Sequence, residues 1–246
     1  MNWCKDKIHD MGISKGLFIA GDSVPQVEIS ARAGFDWLML DMEHGLADEM
    51  TIRNQIEVIS RFPVSPLVRI PSLRSDIIKR VLDFGAAGIM VPMVANANQA
   101  REFVAALRYP PDGIRGLSSG SMAAGFGYEA ASYLKEANRK VTGIVQIENR
   151  EGVEAADEIA SIEGVDVLFI GHSDLSLGLG CYNDFSHPEM LKAEQIVVSA
   201  CKKHNKIAGM LLKESMDPCE YQARGFKFLA YGTDLSVLRR AVAKLL

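Results

Sequence analysis

Val141-Thr142-Gly143-Ile144-Val145-Gln146-Ile147-Glu148 and Val165-Asp166-Val167-Leu168-Phe169-Ile170-Gly171-His172-Ser173-Asp174 are two apolar runs that each lead into a carboxylate. Short runs of nearly unbroken apolarity are what strands look like when both faces of a parallel sheet are covered. A buried strand that stops at Glu or Asp delivers an oxygen ligand to the C-terminal rim of its sheet, where α/β folds place their chemistry. Two such carboxylates on successive strands, with few other protein ligands, suit a hard divalent cation that keeps positions open for substrate.

Six more runs of this kind complete a set of eight: 16–20, 36–41, 66–70, 88–94, 141–147, 165–170, 207–212 and 228–231. Segments with helical spacing lie between them. Ile52, Ile56 and Ile59 share one face, as do Ile77 or Ile78 with Val81 and Leu82, and Ala100 with Phe103, Val104 and Leu107. The last segment repeats the pattern with Leu235, Leu238, Val242 and Leu245. Asp217-Pro218 reads as an N-cap followed by an N1 proline, with Gly225 as the stop. Ser75 is the expected cap of a helix that Gly85 ends. Eight βα units point to a (β/α)8 TIM barrel, with an open doubly wound sheet as the alternative. No linker or shift in composition divides residues 1–246, so one barrel domain is expected.

Composition narrows the function classes. A net charge of −4 argues against nucleic acid or an anionic membrane as the main partner. No apolar stretch approaches the ~20 residues of a membrane span. The first residues, Met1-Asn2-Trp3-Cys4-Lys5-Asp6-Lys7, lack the apolar segment of a signal peptide, which makes the cytoplasm the expected location. Cys4, Cys181, Cys201 and Cys219 have no metal-site or framework spacing and read as reduced thiols.

Strand two ends Leu40-Asp41-Met42-Glu43-His44-Gly45. His44 at the rim can serve as a general base, with Asp41 fixing its tautomer; alternatively it is only hydrogen-bonded at a loop start. Glu43 reads equally as a structural partner. Arg69, inside the apolar run Val68-Arg69-Ile70-Pro71, is costly to bury unpaired. It is either half of a structural ion pair or a donor aimed at a carboxylate or developing oxyanion, and Glu148 and Asp174 at the same rim favour the donor. Gln146 shares a strand face with Glu148. Gly171 permits a tight turn, after which the Ser173 and Asp174 amides can receive an anion. A glycosidase-like carboxylate pair is disfavoured by an aromatic content of only 7%. Lys213, followed by Glu214, reads as a solvated loop residue in preference to a Schiff-base lysine. The Gly- and Ser-rich stretch 108–128 starts from the side of the barrel away from the rim. It is expected either to reach a neighbouring subunit's site, with Arg115 facing ligand, or to pack an interface.

Taken in order, AGFDWLMLDMEHG, LVRIP, GIMVPMV, LRYPPDGIRG, IVQIEN and GVDVLFIGHSDLS resemble the HpcH/HpaI family of metal-dependent 2-keto acid aldolases, across nearly the whole chain. The resemblance implies a (β/α)8 barrel of the phosphoenolpyruvate/pyruvate-domain type, assembled as a homohexamer (a dimer of trimers). It implies a divalent cation (Mg2+, Mn2+ or Co2+) on Glu148 and Asp174, with Gln146 beside it. Arg69 would face the keto or enolate oxygen, and His44 with Asp41 would handle protons. Phe18, Leu211 and Ser173 would line the substrate. The implied reaction is reversible retro-aldol cleavage of a 4-hydroxy-2-keto acid to pyruvate and an aldehyde through a metal-stabilised enolate. The alternatives are a related lyase or carboligase acting on oxaloacetate or an acyl thioester, and a non-catalytic keto-acid binder. Two departures stand out: Gly171-His172-Ser173-Asp174 where relatives read Gly-Pro-Ala-Asp, and Glu43-His44-Gly45-Leu46-Ala47-Asp48 where others read EHAPND. Both fall where the aldehyde would approach.

Overall fold

A computed structural model describes residues 2–8 and 12–245. Eight parallel strands close into a barrel in sequence order: β1 Ser14–Ile19, β2 Trp37–Asp41, β3 Ser65–Arg69, β4 Gly88–Val91, β5 Thr142–Ile147, β6 Val167–Ile170, β7 Ile207–Leu211 and β8 Phe226–Thr233. The β1–β8 pairing removes the open-sheet alternative. The residues of β2 and of β5 are buried on both faces, as near-continuous apolarity implies. Among the described residues no helix is long and apolar enough to cross a membrane.

Strand period two sorts the side chains. Leu38, Leu40, Val68, Ile89, Val145, Leu168 and Met210 join the layer between barrel and helices, against Ile52, Ile56, Ile59, Ile78, Val81, Leu82, Phe103 and Val104. The opposite parity fills the interior with Phe18, Trp37, Met39, Leu67, Met90, Ile144, Val167, Phe169 and Phe228. Trp37 stacks on Phe228 with ring centroids 4.1 Å apart. Its partner in register on β1 is Gly16, and a Cβ there would come within 2.1 Å of the indole. The floor of the barrel therefore depends on a missing side chain.

Some boundaries differ from expectation. β4 stops at Val91, not at 94, because Pro92 cannot donate to a ladder and Met93 takes φ 56°. β8 begins earlier and runs to Thr233. Ser75 is the first helical residue; Arg74 holds the cap position and makes no side-chain cap bond. Asp217 caps as expected, accepting from the Cys219 amide, with Pro218 at the start of helix Pro218–Ala223. Cys181 and Cys201 are buried free thiols, and Cys219 is an exposed one.

The stretch 108–128 packs on the outside of its own barrel, and Arg115 does not face ligand. Its side chain is fully buried, with Nη2 donating to Asp83 Oδ1 at 2.8 Å and to the Tyr133 hydroxyl at 3.1 Å. The guanidinium also lies 4.4 Å from the centre of the Tyr109 ring. A buried arginine needs a counter-charge and π faces, and the chain supplies both locally. Among the residues this stretch leaves exposed are the large apolar side chains Ile114, Leu117, Phe126 and Tyr128.

The barrel floor makes a direct prediction. Gly16→Ala should destabilise the chain by ~1–3 kcal/mol through overpacking, read as a Tm lowered by several degrees. Gly178→Ala, where an added Cβ meets nothing within 4 Å, should leave Tm level or slightly higher. Equal Tm values for the two variants would remove the floor argument.

Candidate active site

The nine residues singled out from sequence (Phe18, Asp41, His44, Arg69, Gln146, Glu148, Ser173, Asp174 and Leu211) all line one cavity of about 270 Å³ at the C-terminal mouth of the barrel. Larger hollows lie on the outer surface, one of 500 Å³ bounded by Ile56, Phe84 and Phe126. The mouth cavity is the one where strand ends from around the ring bring carboxylates, a guanidinium and an imidazole together.

Asp41 and Arg69 are partners in register on β2 and β3. Arg69 Nε and Nη2 donate to Asp41 Oδ1 and Oδ2 at 2.9 and 2.7 Å, a bidentate fork, and Nη1 lies 3.0 Å from Glu43 Oε2. Phe18 is buried, with its ring centre 5.1 Å from the guanidinium carbon. Two of the five N–H groups of Arg69 are thus bonded to Asp41, while Nη1 meets Glu43 as an ion pair only, since Glu43 Oε2 accepts no hydrogen bond. Two N–H groups on Nη1 and one on Nη2 stay free of hydrogen bonds.

This arrangement corrects the expectation for His44. Asp41 does not orient the imidazole; its carboxylate holds Arg69, and its bond to residue 44 is to the backbone amide, at 3.3 Å. In-register pairing brings the guanidinium within reach of Asp41, and the guanidinium outcompetes a ring on a loop. The nearest carboxylate to the imidazole is Glu43, with Oε1 3.9 Å from Nε2, and the His44 side chain is 67% exposed.

Glu148 sits deeper. Its Oε1 accepts the Met93 amide at 2.7 Å, and its Oε2 accepts Gln146 Nε2 at 2.8 Å. A Cβ at residue 171 would lie 2.3 Å from that Oε2. Gly171 has φ −86°, so it is required here by the approach of Glu148 and not by a left-handed turn. Burial pushes the Glu148 carboxyl up to about 7; the Met93 hydrogen bond opposes the rise, and the charges of Glu43 and Asp174 add to it. Burial also raises Glu43, against the pull of Arg69. The cavity therefore holds more negative charge than Arg69 neutralises.

Asp174 stands exposed at the rim, in the first turn of helix His172–Gly178. Gln146 Oε1 is buried without a hydrogen-bond partner. Among the described residues no three His, Cys, Asp or Glu side chains cluster as a closed metal cage. Two carboxylates, an unpartnered carboxamide oxygen and surplus negative charge fit a hard divalent cation that keeps coordination positions open.

Several contacts escaped the sequence. The Met93 amide depends on a left-handed residue after β4, and only Pro92 hinted at that turn. Lys213, a half-buried loop residue, also lines the cavity, with Nζ 3.3 Å from Ser173 Oγ in an exposed hydrogen bond. His172 forms part of the wall, but its Nε2 is taken by Glu194 at 2.7 Å, and Arg224 pairs with the same carboxylate. Burial lowers the ring to about 4, so the neutral imidazole donates to Glu194. This departure from the Gly-Pro-Ala-Asp pattern is thus held by a buried hydrogen bond to Glu194, whose carboxylate also pairs with Arg224.

The chain is similar in sequence and fold to known proteins. The chain is 41% identical over 230 residues to 5-keto-4-deoxy-D-glucarate aldolase of Shigella dysenteriae, covering 94% of this chain and 90% of that one. A HpcH/HpaI aldolase/citrate lyase family protein from Burkholderia cenocepacia superposes with a TM-score of 0.94 at 33% identity, covering 100% of this chain and 98% of that one. The citrate synthase SbnG superposes at 0.88 with 27% identity, covering 99% and 96%. Similarity to the aldolases exceeds similarity to the synthase, which marks the chain as a carbon–carbon lyase. The sequence profile of the HpcH/HpaI aldolase/citrate lyase family matches residues 14–241, and the chain belongs to that family.

Proposed function

We propose that the chain is a class II aldolase that reversibly cleaves a 4-hydroxy-2-keto acid into pyruvate and an aldehyde, with a divalent cation on Glu148 and Asp174. One observation carries this reading: an arginine with N–H groups left free by its two bonds to Asp41 shares a cavity with two carboxylates, Glu148 and Asp174, that it does not pair with. The relatives' substrate name supports it. Cleaving 5-keto-4-deoxy-D-glucarate one bond beyond the methylene next to its keto group gives pyruvate and an aldehyde that keeps the second carboxylate.

Mg2+, Mn2+ or Co2+ suits these oxygen donors and, when bound, supplies a Lewis acid that polarises the keto acid. The remaining work falls to the chain. As the C3–C4 bond breaks, its electron pair moves onto the pyruvate half, and negative charge grows at the keto oxygen. The free N–H groups of Arg69 face that charge, held in place by Asp41, Glu43 and Phe18. The C4 hydroxyl becomes the aldehyde oxygen by giving its proton to His44, directly or through a water. Protonation of C3 completes pyruvate, so no oxidant or reductant is needed. Gln146 steadies Glu148, while Leu211 and Ser173 bound the space above. A keto-acid binder would have no use for an exposed imidazole at the rim.

Assembly belongs to the same proposal. In helix Asp234–Ala243, Leu235, Leu238 and Val242 are exposed, as are Leu245, Phe126 and Tyr128. Apolar surface of this kind is usually covered, and we assign it to contacts within a homohexamer. Light scattering should report an oligomer at micromolar concentration; a fully active monomer would contradict the assignment.

The central test is exchange of the methyl protons of pyruvate for deuterium, followed by NMR. Exchange should require Mn2+ or Mg2+ and stop on chelation; exchange in stripped protein would remove the cation from the proposal. Glu148→Gln and Asp174→Asn should each weaken Mn2+ binding to stripped protein, measured by calorimetry, by more than the ~10–100-fold cost of losing a mere supporting partner. Circular dichroism should stay unchanged.

Residue roles separate in a second set of variants. Arg69→Lys should lower turnover by ~10²–10³-fold, since a point charge cannot keep the fork to Asp41 and still face the keto oxygen. His44→Ala should lose aldol cleavage while Mn2+ and pyruvate still bind. Near wild-type turnover in the lysine variant would make Arg69 purely structural.

A further inference from the structure

We infer that Lys213 selects the aldehyde half of the substrate and that it does so by reading a carboxylate there. This rests on the aldolase reading and adds to it. Asp41 and Glu43 neutralise Arg69. Lys213 is the other side chain of fixed positive charge on the lining, and among the described residues no carboxylate lies within salt-bridge distance of its ammonium. The adjacent Glu214 is engaged by Arg240 at 3.4 Å. The Lys213 ammonium donates to Ser173 Oγ and lies 5.4 Å from the centre of the Phe185 ring, a π face that favours a cation without consuming its donors. With three donors and one protein acceptor, the group has capacity left for an anion.

Topology gives the charge a direction. In a closed barrel of eight strands taken in order, β3 and β7 lie on opposite sides of the ring. Arg69 ends β3, and Lys213 follows the end of β7. The carboxylates of β5 and the β6 helix, Glu148 and Asp174, stand between them around one side. A keto acid held at the Arg69 end by its pyruvate half therefore extends its C4 substituent toward Lys213 and Ser173. A substrate with an anionic group at each end matches this spacing of cations; one with a neutral tail leaves the ammonium unanswered. One ammonium and one hydroxyl suit a singly charged carboxylate, whereas a phosphate dianion calls for more donors.

Matched aldehydes test the inference in the direction of pyruvate addition. Glyoxylate is compared with glycolaldehyde, 2-hydroxy-3-oxopropanoate with glyceraldehyde, and glyceraldehyde 3-phosphate serves as the phosphate arm. The wild type should prefer the carboxylate member of each pair. Lys213→Met should lower kcat/KM for the carboxylate members by about 10–100-fold relative to the neutral ones, mainly through KM. Lys213→Arg should recover much of the preference, and Lys213→Glu should invert it. An equal loss on charged and neutral aldehydes, or a preference for the phosphate, overturns the inference while leaving the aldolase reading intact. Absence of metal-dependent pyruvate exchange in the wild type overturns the aldolase reading and this inference with it.

Discussion

The fork between Arg69 and Asp41 anchors the arrangement of the mouth. It joins two neighbouring strands at the same level of the ladder, so the guanidinium is held by the sheet and not by a loop. With Glu43 as a second counter-charge and Phe18 against it, the guanidinium plane is fixed before any ligand arrives. The cost is that two carboxylates are drawn in with it. Burial raises the proton affinity of Glu148 across the cavity, and the charge of Glu43, together with that of Asp174, adds to it. One ion pair thus both orients the electrophilic side of the site and leaves the opposite side short of positive charge, the condition under which a divalent ion binds.

Below this layer the barrel is filled with rings. Trp37 rests on Gly16 and Phe228, and Phe169 packs edge-on to Phe228 and beside Phe18. An interior of planar groups in contact has little freedom to collapse or expand, which gives the rim residues above a firm base. Arg69, Gln146 and Glu148 lie on or directly after strand ends, while the groups around the aldehyde (Ser173, Lys213 and His44) sit two or three residues beyond a strand. That division matches where the chain departs from the familiar motifs.

Much of this could be read from residue order alone, because parity is a local property. Once 144 and 167 face inward, 146, 148, 169 and 171 must as well, and the nominated residues meet without further assumption. What could not be read depends on competition between partners. Asp41 is near both His44 and Arg69 in any reading, and only the register decides that the guanidinium takes it. Arg115 looked like a ligand-binding arginine because its partners, Asp83, Tyr109 and Tyr133, are scattered over fifty residues. Lys213 reads as a loop residue beside Glu214, and only the structure shows that it lines the cavity while Glu214 is engaged by Arg240. The ends of β4 and β8 shifted because proline and backbone geometry, not hydropathy, decide where a ladder stops.

The absent side chain at residue 171 has a consequence for how such a site can change over time. The Glu148 carboxylate occupies the space that any Cβ there would need, so the two positions behave as one inherited unit. An alanine at 171 arriving first would evict the acid; loss of the acid first would leave a void that any side chain at 171 could fill, closing the road back. Sequence drift around the mouth is free to alter what the barrel accepts at its outer edge, but this pair acts as a ratchet that confines the variation to that edge.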